Sequence, residues 1–412
     1  MTKLGEILDK IIGGGTPSKS EERYWNGNIP WASVKDINEE QVFLSYTQDC
    51  ITEEGLKKSS SNLIPKGTVV IPTRMGLGRC VITTIDTAIN QDLKALIPNT
   101  TKLESKYLLY WLKNNSLLIE SMGSGTTVKG IRLEQLTDLE FKDIDLNIQQ
   151  KIAKILSNYD DLIENNNKRI KILEEMAQKI YKEWFVDFKF PGHSTATFKQ
   201  TELGEIPSDW FLGTIKDIND VKGGYAFKSS DLKDTGKYGV IKIKNIQSGD
   251  IDINSCQYID ERIAQKAEAF KLGGGDMLIA MTGAQVGKVG IMPKTEQHYY
   301  LNQRVGKFVP NKEYIVNNQY LSMCTSSEKF NIQINNVASG AAQPNISTSQ
   351  IENIEILVPK AEILTQFETL VNPLYMETMV LKEKIAILKQ TRDLLLPRLI
   401  SGEINVENLE FV

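Results

Sequence analysis

Histidine is almost missing from this 412-residue chain. His193 and His298 are the only two, and neither stands in a ligand or triad spacing, so histidine-based nucleophilic or metal chemistry has almost nothing to draw on. The four cysteines, Cys50, Cys80, Cys256 and Cys324, form no Cys-x-x-Cys pair. Reduced, structural thiols in a cytoplasmic protein fit this better than a disulfide framework or a zinc site. No apolar run approaches the ~18 residues of a membrane span, and Met1 to Lys10 has no signal-peptide layout. A basic excess is missing too. The net charge is -4, residues 1–145 hold slightly more acid than base, and residues 203–359 are close to balance. A nucleic-acid footprint would therefore have to be a local patch, or be shared with a partner that neutralises phosphates.

Enzyme motifs are imitated but not completed. Gly283-Ala-Gln-Val-Gly287-Lys288-Val289 resembles a phosphate-binding loop, yet has three residues between its glycines where four are needed, and Val where a hydroxyl would meet magnesium. A β-turn is the plainer reading. Asn372-Pro-Leu-Tyr375 resembles the Asn-Pro-Pro-Tyr of adenine methyltransferases, but lies within a heptad pattern and no glycine-rich cofactor turn is nearby. Asp92 with Glu104-Ser-Lys106 resembles a nuclease metal site, but Glu104 opens an amphipathic helix. The chain reads as non-catalytic by itself, with no metal site and no cofactor of its own.

What is present is a duplication. Leu4-Gly5 aligns with Leu212-Gly213 at a shift of 208 residues, Trp31 to Ile37 with Val240 to Ile246 at 209, and Gly67 to Thr73 with Gly275 to Met281 at 208. Further on, Gly78-Arg79 aligns with Gly287-Lys288 at 209, Asn90-Gln91 with Asn302-Gln303 at 212, and Ser124-Gly125 with Ser339-Gly340 at 215. The order is kept while the shift drifts upward, as loop insertions between equivalent domains produce. Short β-rich runs, Gly-rich turns and a helix near each end (Tyr107 to Leu112; Tyr320 to Met323) predict an α+β domain in each copy. Gly13-Gly-Gly15 and Gly273-Gly-Gly275 read as tight turns.

Each copy closes on a heptad pattern. Ile152, Leu156, Tyr159, Ile163, Asn166, Ile170, Leu173, Ala177, Ile180 and Trp184 follow steps of four and three. The positions 215 further on are Phe367, Val371, Leu374, Thr378, Leu381, Ile385, Leu388, Arg392, Leu395 and Leu399. A 3.5-residue period puts these on one stripe, and two stripes bury each other as a coiled coil. Tethering favours an intramolecular pair, and antiparallel packing would hold the globular parts apart on helices roughly 50 Å long. Asn166 either fixes the register or is a solvated Asn. Pro373 interrupts the second helix, and Pro397 is predicted to end it near Leu396. The boundaries drawn are 1–147 and 203–358 for the globular domains, 148–190 and 359–403 for the helices, 191–202 for a linker and 404–412 for a tail.

The joint Tyr181-Lys-Glu-Trp-Phe185-Val-Asp-Phe-Lys-Phe190-Pro-Gly192, with Glu202-Leu-Gly-Glu-Ile-Pro207-Ser-Asp-Trp210 and the ending Leu394-Leu-Leu-Pro-Arg-Leu-Ile400-Ser-Gly-Glu403, resembles the specificity subunits of type I restriction-modification systems. With the duplication, the resemblance covers nearly the whole chain. It implies two target-recognition domains in a pseudo-two-fold tandem repeat, each reading one half of a bipartite double-stranded DNA target, and an antiparallel coiled coil that sets the spacing. The partners implied are two methyltransferase subunits and two restriction/translocase subunits, which would hold the S-adenosylmethionine, ATP and Mg. Half-sites one turn apart, roughly 34–36 Å, match helices of this length.

Base edges are read by Arg or Lys toward guanine and by Asn or Gln toward adenine. In the first domain the candidates are Lys35, Arg74, Arg79, Gln91 and Lys129. In the second they are Lys244, Lys288, Gln303, Arg304, Gln343 and Asn345. Each could equally be a solvated or loop-bracing residue. A competing reading from another class is a coiled-coil protein-protein adaptor with two binding domains, which the near-neutral charge of both halves favours; a standalone adenine methyltransferase is a third.

Overall fold

Val69 to Pro72 and Met277 to Ala280 are buried at every position. Runs of this kind cannot alternate between core and water, so each forms a strand covered on both faces. Each is the middle strand of a five-stranded sheet. In this computed structural model, which describes residues 2–125, 128–202, 204–311, 318–338 and 344–409, the chain divides into two compact units, residues 1–164 with 386–412, and residues 165–385.

The first unit's five-stranded sheet has the order Leu8–Gly13, Leu93–Pro98, Val69–Pro72, Val81–Thr83, Phe43–Leu44. A four-stranded sheet runs Asp49–Ile51, Trp25–Ala32, Thr87–Ile89, Asn62–Ile64, and Thr2–Lys3 pairs with Glu140–Phe141. The second unit repeats this path. Its five strands are ordered Asn219–Gly223, Val305–Pro310, Met277–Ala280, Val289–Ile291, Gly249–Asp250, and its four are Gln257–Ile259, Tyr238–Ile241, His298–Leu301, Lys271–Leu272. Phe211–Thr214 pairs with Glu355–Val358. Even the last, parallel strand of the large sheet recurs, Phe43–Leu44 beside Val81–Thr83 and Gly249–Asp250 beside Val289–Ile291. The α+β class and the tandem repetition expected from the sequence are both present.

One glycine in each unit is there for close approach. A Cβ on Gly14 would stand 1.9 Å from the Ile89 carbonyl oxygen, and one on Gly224 would stand 2.3 Å from that of Leu301. These two form an equivalent pair that the landmark alignment does not contain. Gly67 and Gly275 serve the other need, a positive φ (82° and 90°) in the turn entering the central strand.

The first long helix spans Leu146–Tyr181 and the second Ala361–Ser401. Of the seam residues, Ile152, Leu156, Ile163, Ile170, Phe367, Val371 and Leu381 are buried, and Leu173, Ile180, Ile385, Leu388 and Leu395 are half-buried. The helices run antiparallel. In the second unit Arg169 donates to Glu377 at 2.7 Å, while Tyr181, further along, meets the earlier residue Phe367. In the first unit Ile152 and Leu156 share a core with Leu399 and Ile400.

Three sequence expectations are corrected. Pro397 does not end the second helix, which continues to Ser401. Pro373 and Pro397 are both exposed, so the carbonyls deprived of a donor face water, while Leu399 and Ile400 gain burial in the first unit's core. The first helix stops short of residue 190. At Lys182–Val186 it widens into a π turn, which brings Phe185 against Tyr320, Phe367 and Trp210 at centroid separations of 4.7, 4.8 and 5.6 Å. The stretch drawn as a linker holds a strand, Phe198–Thr201, paired with Gly204–Pro207, and is flanked by the buried Phe190 and Trp210.

The joint and the chain's ending thus do equivalent work on different units. Phe185 and Phe190 complete the second unit's core, and Ile400 and Val406 complete the first's.

Polar side chains from the helices also reach into the domains. Gln149 accepts from Glu104 N at 3.1 Å and donates to the Lys102 and Ile144 carbonyls. Asp160, 3% exposed, accepts from Arg392 Nη1 and Tyr110 Oη, both at 2.5 Å. In the second unit Glu368 accepts from Tyr320 N at 2.8 Å at the start of helix Gln319–Thr325. Burial pushes its carboxyl up to about 8. Its Oε2 and the Gln319 Oε1 have no hydrogen-bond partner among the described residues.

Candidate nucleic-acid interface

In the first unit the strand Val69–Pro72 runs on into a polar loop. Thr73 N donates to the Asp92 carbonyl at 2.7 Å, Ile131 N donates to the Thr73 carbonyl at 3.0 Å, and Met75 N donates to the Lys129 carbonyl at 3.4 Å. Arg74 forms a bridge with Gly130, which also bridges Ser124. These bonds border an open cleft of about 430 Å³ lined by Thr73, Arg74, Ser124, Val128, Gly130, Ile131 and Arg132.

The second unit makes the same bonds. Met281 N donates to the Arg304 carbonyl at 3.0 Å, Ile346 N to the Met281 carbonyl at 2.9 Å, and Gly283 N to the Pro344 carbonyl at 2.9 Å. Thr282 bridges Asn345. Position by position, Arg74 therefore corresponds to Thr282, Asp92 to Arg304, Lys129 to Pro344 and Gly130 to Asn345.

The candidates do not all gather here. Arg74 lines the first unit's cleft and Lys129 stands between its lining residues Val128 and Gly130, while Arg304 and Asn345 belong to the equivalent hydrogen-bonded frame of the second unit, all four exposed. Gln91 and Gln303 are exposed neighbours of Asp92 and Arg304. Gln91 Oε1 is already occupied by the Thr16 hydroxyl at 2.6 Å. Arg79 is used as a brace, donating to the Ile37 carbonyl at 3.3 Å and to Glu39 at 3.4 Å. Lys288, its equivalent, is half-buried. Lys35 and Lys244 occupy equivalent 3-10 turns, Val34–Asp36 and Ile243–Asn245, and are exposed. Gln343 and the landmark Ser339-Gly340 lie outside the described residues.

Arg132 is a cleft residue that the sequence reading missed. It is the N-cap of helix Leu133–Thr137, as Ser347 is of Thr348–Glu352. The 215-residue shift already in hand at Ser124 would have paired those two positions and drawn attention to the change of chemistry.

The cleft's electrostatics is positive on a domain that is not. The side chains of Arg74, Lys129 and Arg132 make no ion pair or hydrogen bond among the described residues. Burial lowers the Lys94 pKa, Asp92 raises it, and Arg74 lowers it by less than Asp92 raises it, so Arg74 is felt at Lys94 but Asp92 outweighs it there. Among the described residues no His/Cys/Asp/Glu group could hold a metal ion, and no helix is long and apolar enough to cross a membrane. The Gly283 motif is a 3-10 turn, Gly283–Gln285, with Gly287 at φ 82°. Glu104 caps helix Ser105–Asn114 through Tyr107 N.

Known proteins share this layout. A type I restriction enzyme specificity subunit of Methanocaldococcus jannaschii, MjaIX, is 30% identical over 410 residues, covering 98% of this chain and 93% of the relative. A second from the same organism, MjaVIII, is 26% identical, with coverage of 100% and 94%. The crystal structure of a type I restriction-modification S subunit from M. genitalium superposes with a TM-score of 0.64 at 19% identity, covering 96% of this chain and 94% of that one, and so shares the fold. The model of the type I restriction modification DNA specificity domain matches twice, at residues 1–175 and 207–383. With two such domains across most of its length, the chain belongs to the type I restriction-modification DNA specificity family.

Proposed function

We propose that the chain is the non-catalytic sequence-reading subunit of a type I restriction-modification complex, each unit reading one half of a bipartite DNA target. The observation that carries this is the pair of equivalent loop frames, built by the same hydrogen bonds on the same sheet, with exposed Arg, Lys and Asn on them. Repeating the frame while varying the side chains is what two readers of different sequences require. The two long helices, of 36 and 41 residues, act as the spacer and as the surface on which two methyltransferase subunits dock. Two restriction/translocase subunits complete the assembly, and S-adenosylmethionine, ATP and Mg belong to those partners. The setting is the cytoplasm, where the host DNA and these partners are.

The test is methylation-site sequencing of DNA from cells that express the chain with its cognate methyltransferase, with and without exchange of residues 203–358 for another such domain. A split motif of which one half changes on exchange supports the reading. A competent, assembled complex that yields no motif favours the protein-protein adaptor instead, the reading to which the near-neutral charge of both halves lends weight.

A further inference from the structure

Each unit offers one unpaired arginine from the same pair of hydrogen-bonded segments, but from opposite members of the pair. In the first unit it is Arg74, next to Thr73, whose N–H meets the Asp92 carbonyl. In the second it is Arg304, whose own carbonyl receives Met281 N–H, while Thr282 fills the place of Arg74. Both arginines are exposed, and neither side chain has an ion pair or hydrogen bond among the described residues. We infer that Arg74 and Arg304 are the guanine readers of the two domains, and that Lys129 and Arg132 hold phosphates beside the first. This rests on the DNA-reading function proposed above.

The assignment follows from how each residue is held. A guanidinium reads guanine by a planar fork onto O6 and N7, which needs a fixed base for the side chain. Arg74 has that base, with its backbone in a bridge to Gly130 and bonds anchoring Thr73 and Met75 on either side. Arg304 is held by its carbonyl and by its N–H, which donates to Asn302 Oδ1 at 3.2 Å. Arg79, by contrast, spends its fork on Ile37 and Glu39. Lys129 supplies a mobile point charge suited to a phosphate, and Arg132 stands at the cleft's edge at a helix start. Their counterparts, Pro344 and Ser347, carry no charge, so these two phosphate contacts have no equivalent in the second domain. Because the two arginines project from different segments, the guanines they read occupy different places within the two half-sites.

The experiment is methylation-motif sequencing of the full complex carrying Arg74→Ala, Arg74→Gln, Arg304→Ala or the pair Lys129→Ala and Arg132→Ala, together with binding to a duplex bearing the parent motif across a salt series. Both arginine side chains are solvent-exposed, so these variants keep the fold, which a circular dichroism spectrum checks. Arg74→Ala relaxes one G·C position in one half of the motif, its discrimination falling by about 5- to 150-fold. Arg74→Gln also loses guanine there. Arg304→Ala does the same to one position in the other half alone. The Lys129/Arg132 pair leaves the motif intact and reduces the slope of log K against log salt by about 1.8. Uniform weakening by Arg74→Ala or Arg304→Ala, with no position relaxed, makes that arginine a phosphate contact and overturns its assignment. If instead the unsubstituted complex, assembled and competent, yields no split motif, the DNA-reading function itself fails and this inference falls with it.

Discussion

Removing the Arg392 guanidinium while keeping Asp160 leaves a buried carboxylate without its cation, and the exposed Asp393, which the same guanidinium also holds, adds under ~1 kcal/mol. Arg392 is 14% and Asp160 3% exposed by side chain, with their atoms 2.5 Å apart. Among the described residues, the other donor to Asp160 is the Tyr110 hydroxyl. At an effective dielectric of about 20, opposite charges ~4 Å apart attract by about 4 kcal/mol, and breaking one partner of a buried pair costs about 3–5 kcal/mol, because the remaining charge has nowhere to go. Arg392→Met should therefore destabilise the first unit by that amount. For a unit of this size the thermal midpoint moves about 2–4 °C per kcal/mol, a fall of roughly 6–20 °C. Asp160→Leu combined with Arg392→Met should recover to within about 1–2 kcal/mol of the parent, since an apolar replacement also removes the desolvation penalty, and the remaining deficit is the lost Tyr110 bond of about 1 kcal/mol. Urea unfolding followed separately for the two units is the assay, with the second unit's transition unchanged. A loss below ~1 kcal/mol for Arg392→Met, or a double variant as unstable as the single one, refutes the reasoning.

Glu368 supplies a pH dependence. Its folded pKa of about 8 lies above the ordinary 4.5 because of burial. The folded unit keeps a proton that the unfolded chain has released, so stability falls between about pH 4.5 and 8, by up to about 1.4 kcal/mol per pH unit. Glu368→Gln should flatten that fall in a pH series of melts; an unchanged slope shows that the carboxyl is charged in the fold. Gly14→Ala and Gly224→Ala should each cost at least about 1–3 kcal/mol in their own unit, because backbone carbonyls occupy the methyl's place; wild-type melting of either variant contradicts the close approach. Arg79→Ala should leave the DNA motif unchanged and cost under ~1 kcal/mol, its partner Glu39 being well exposed; a relaxed base position would make Arg79 a reader.

The duplication and the seams were legible because both are periodic. A 3.5-residue repeat and a drifting 208- to 215-residue shift survive without any knowledge of contacts. What stayed hidden depends on contacts distant in sequence. Arg392 interrupts an apolar seam until Asp160 and Tyr110 are brought beside it. Pro397 is a helix stop by local rules, and only the burial of Leu399 and Ile400 overrides it. The strand Phe198–Thr201 has little to mark it, since three of its four residues are exposed and one half-buried, and its pairing with Gly204–Pro207 supplies its order. Of the eleven base-contact candidates, residue type selected all, but only the hydrogen-bond frame separates Arg79, already engaged, from Arg74 and Arg304, whose side chains have no partner among the described residues.

The two units differ in how they can be made. Residues 165–385 form one continuous stretch, whereas the first unit needs residues 386–412 as well as 1–164. On the ribosome, at about 5–20 residues per second, the stretch between takes on the order of ten to forty seconds to synthesise. Throughout that delay Leu4, Ile152 and Leu156 await Leu399, Ile400 and Val406, the last residues to join their core. The second unit has all its residues once residue 385 is made, although most of the first unit is translated before it, and the first keeps those side chains without their partners until residues 386–412 follow.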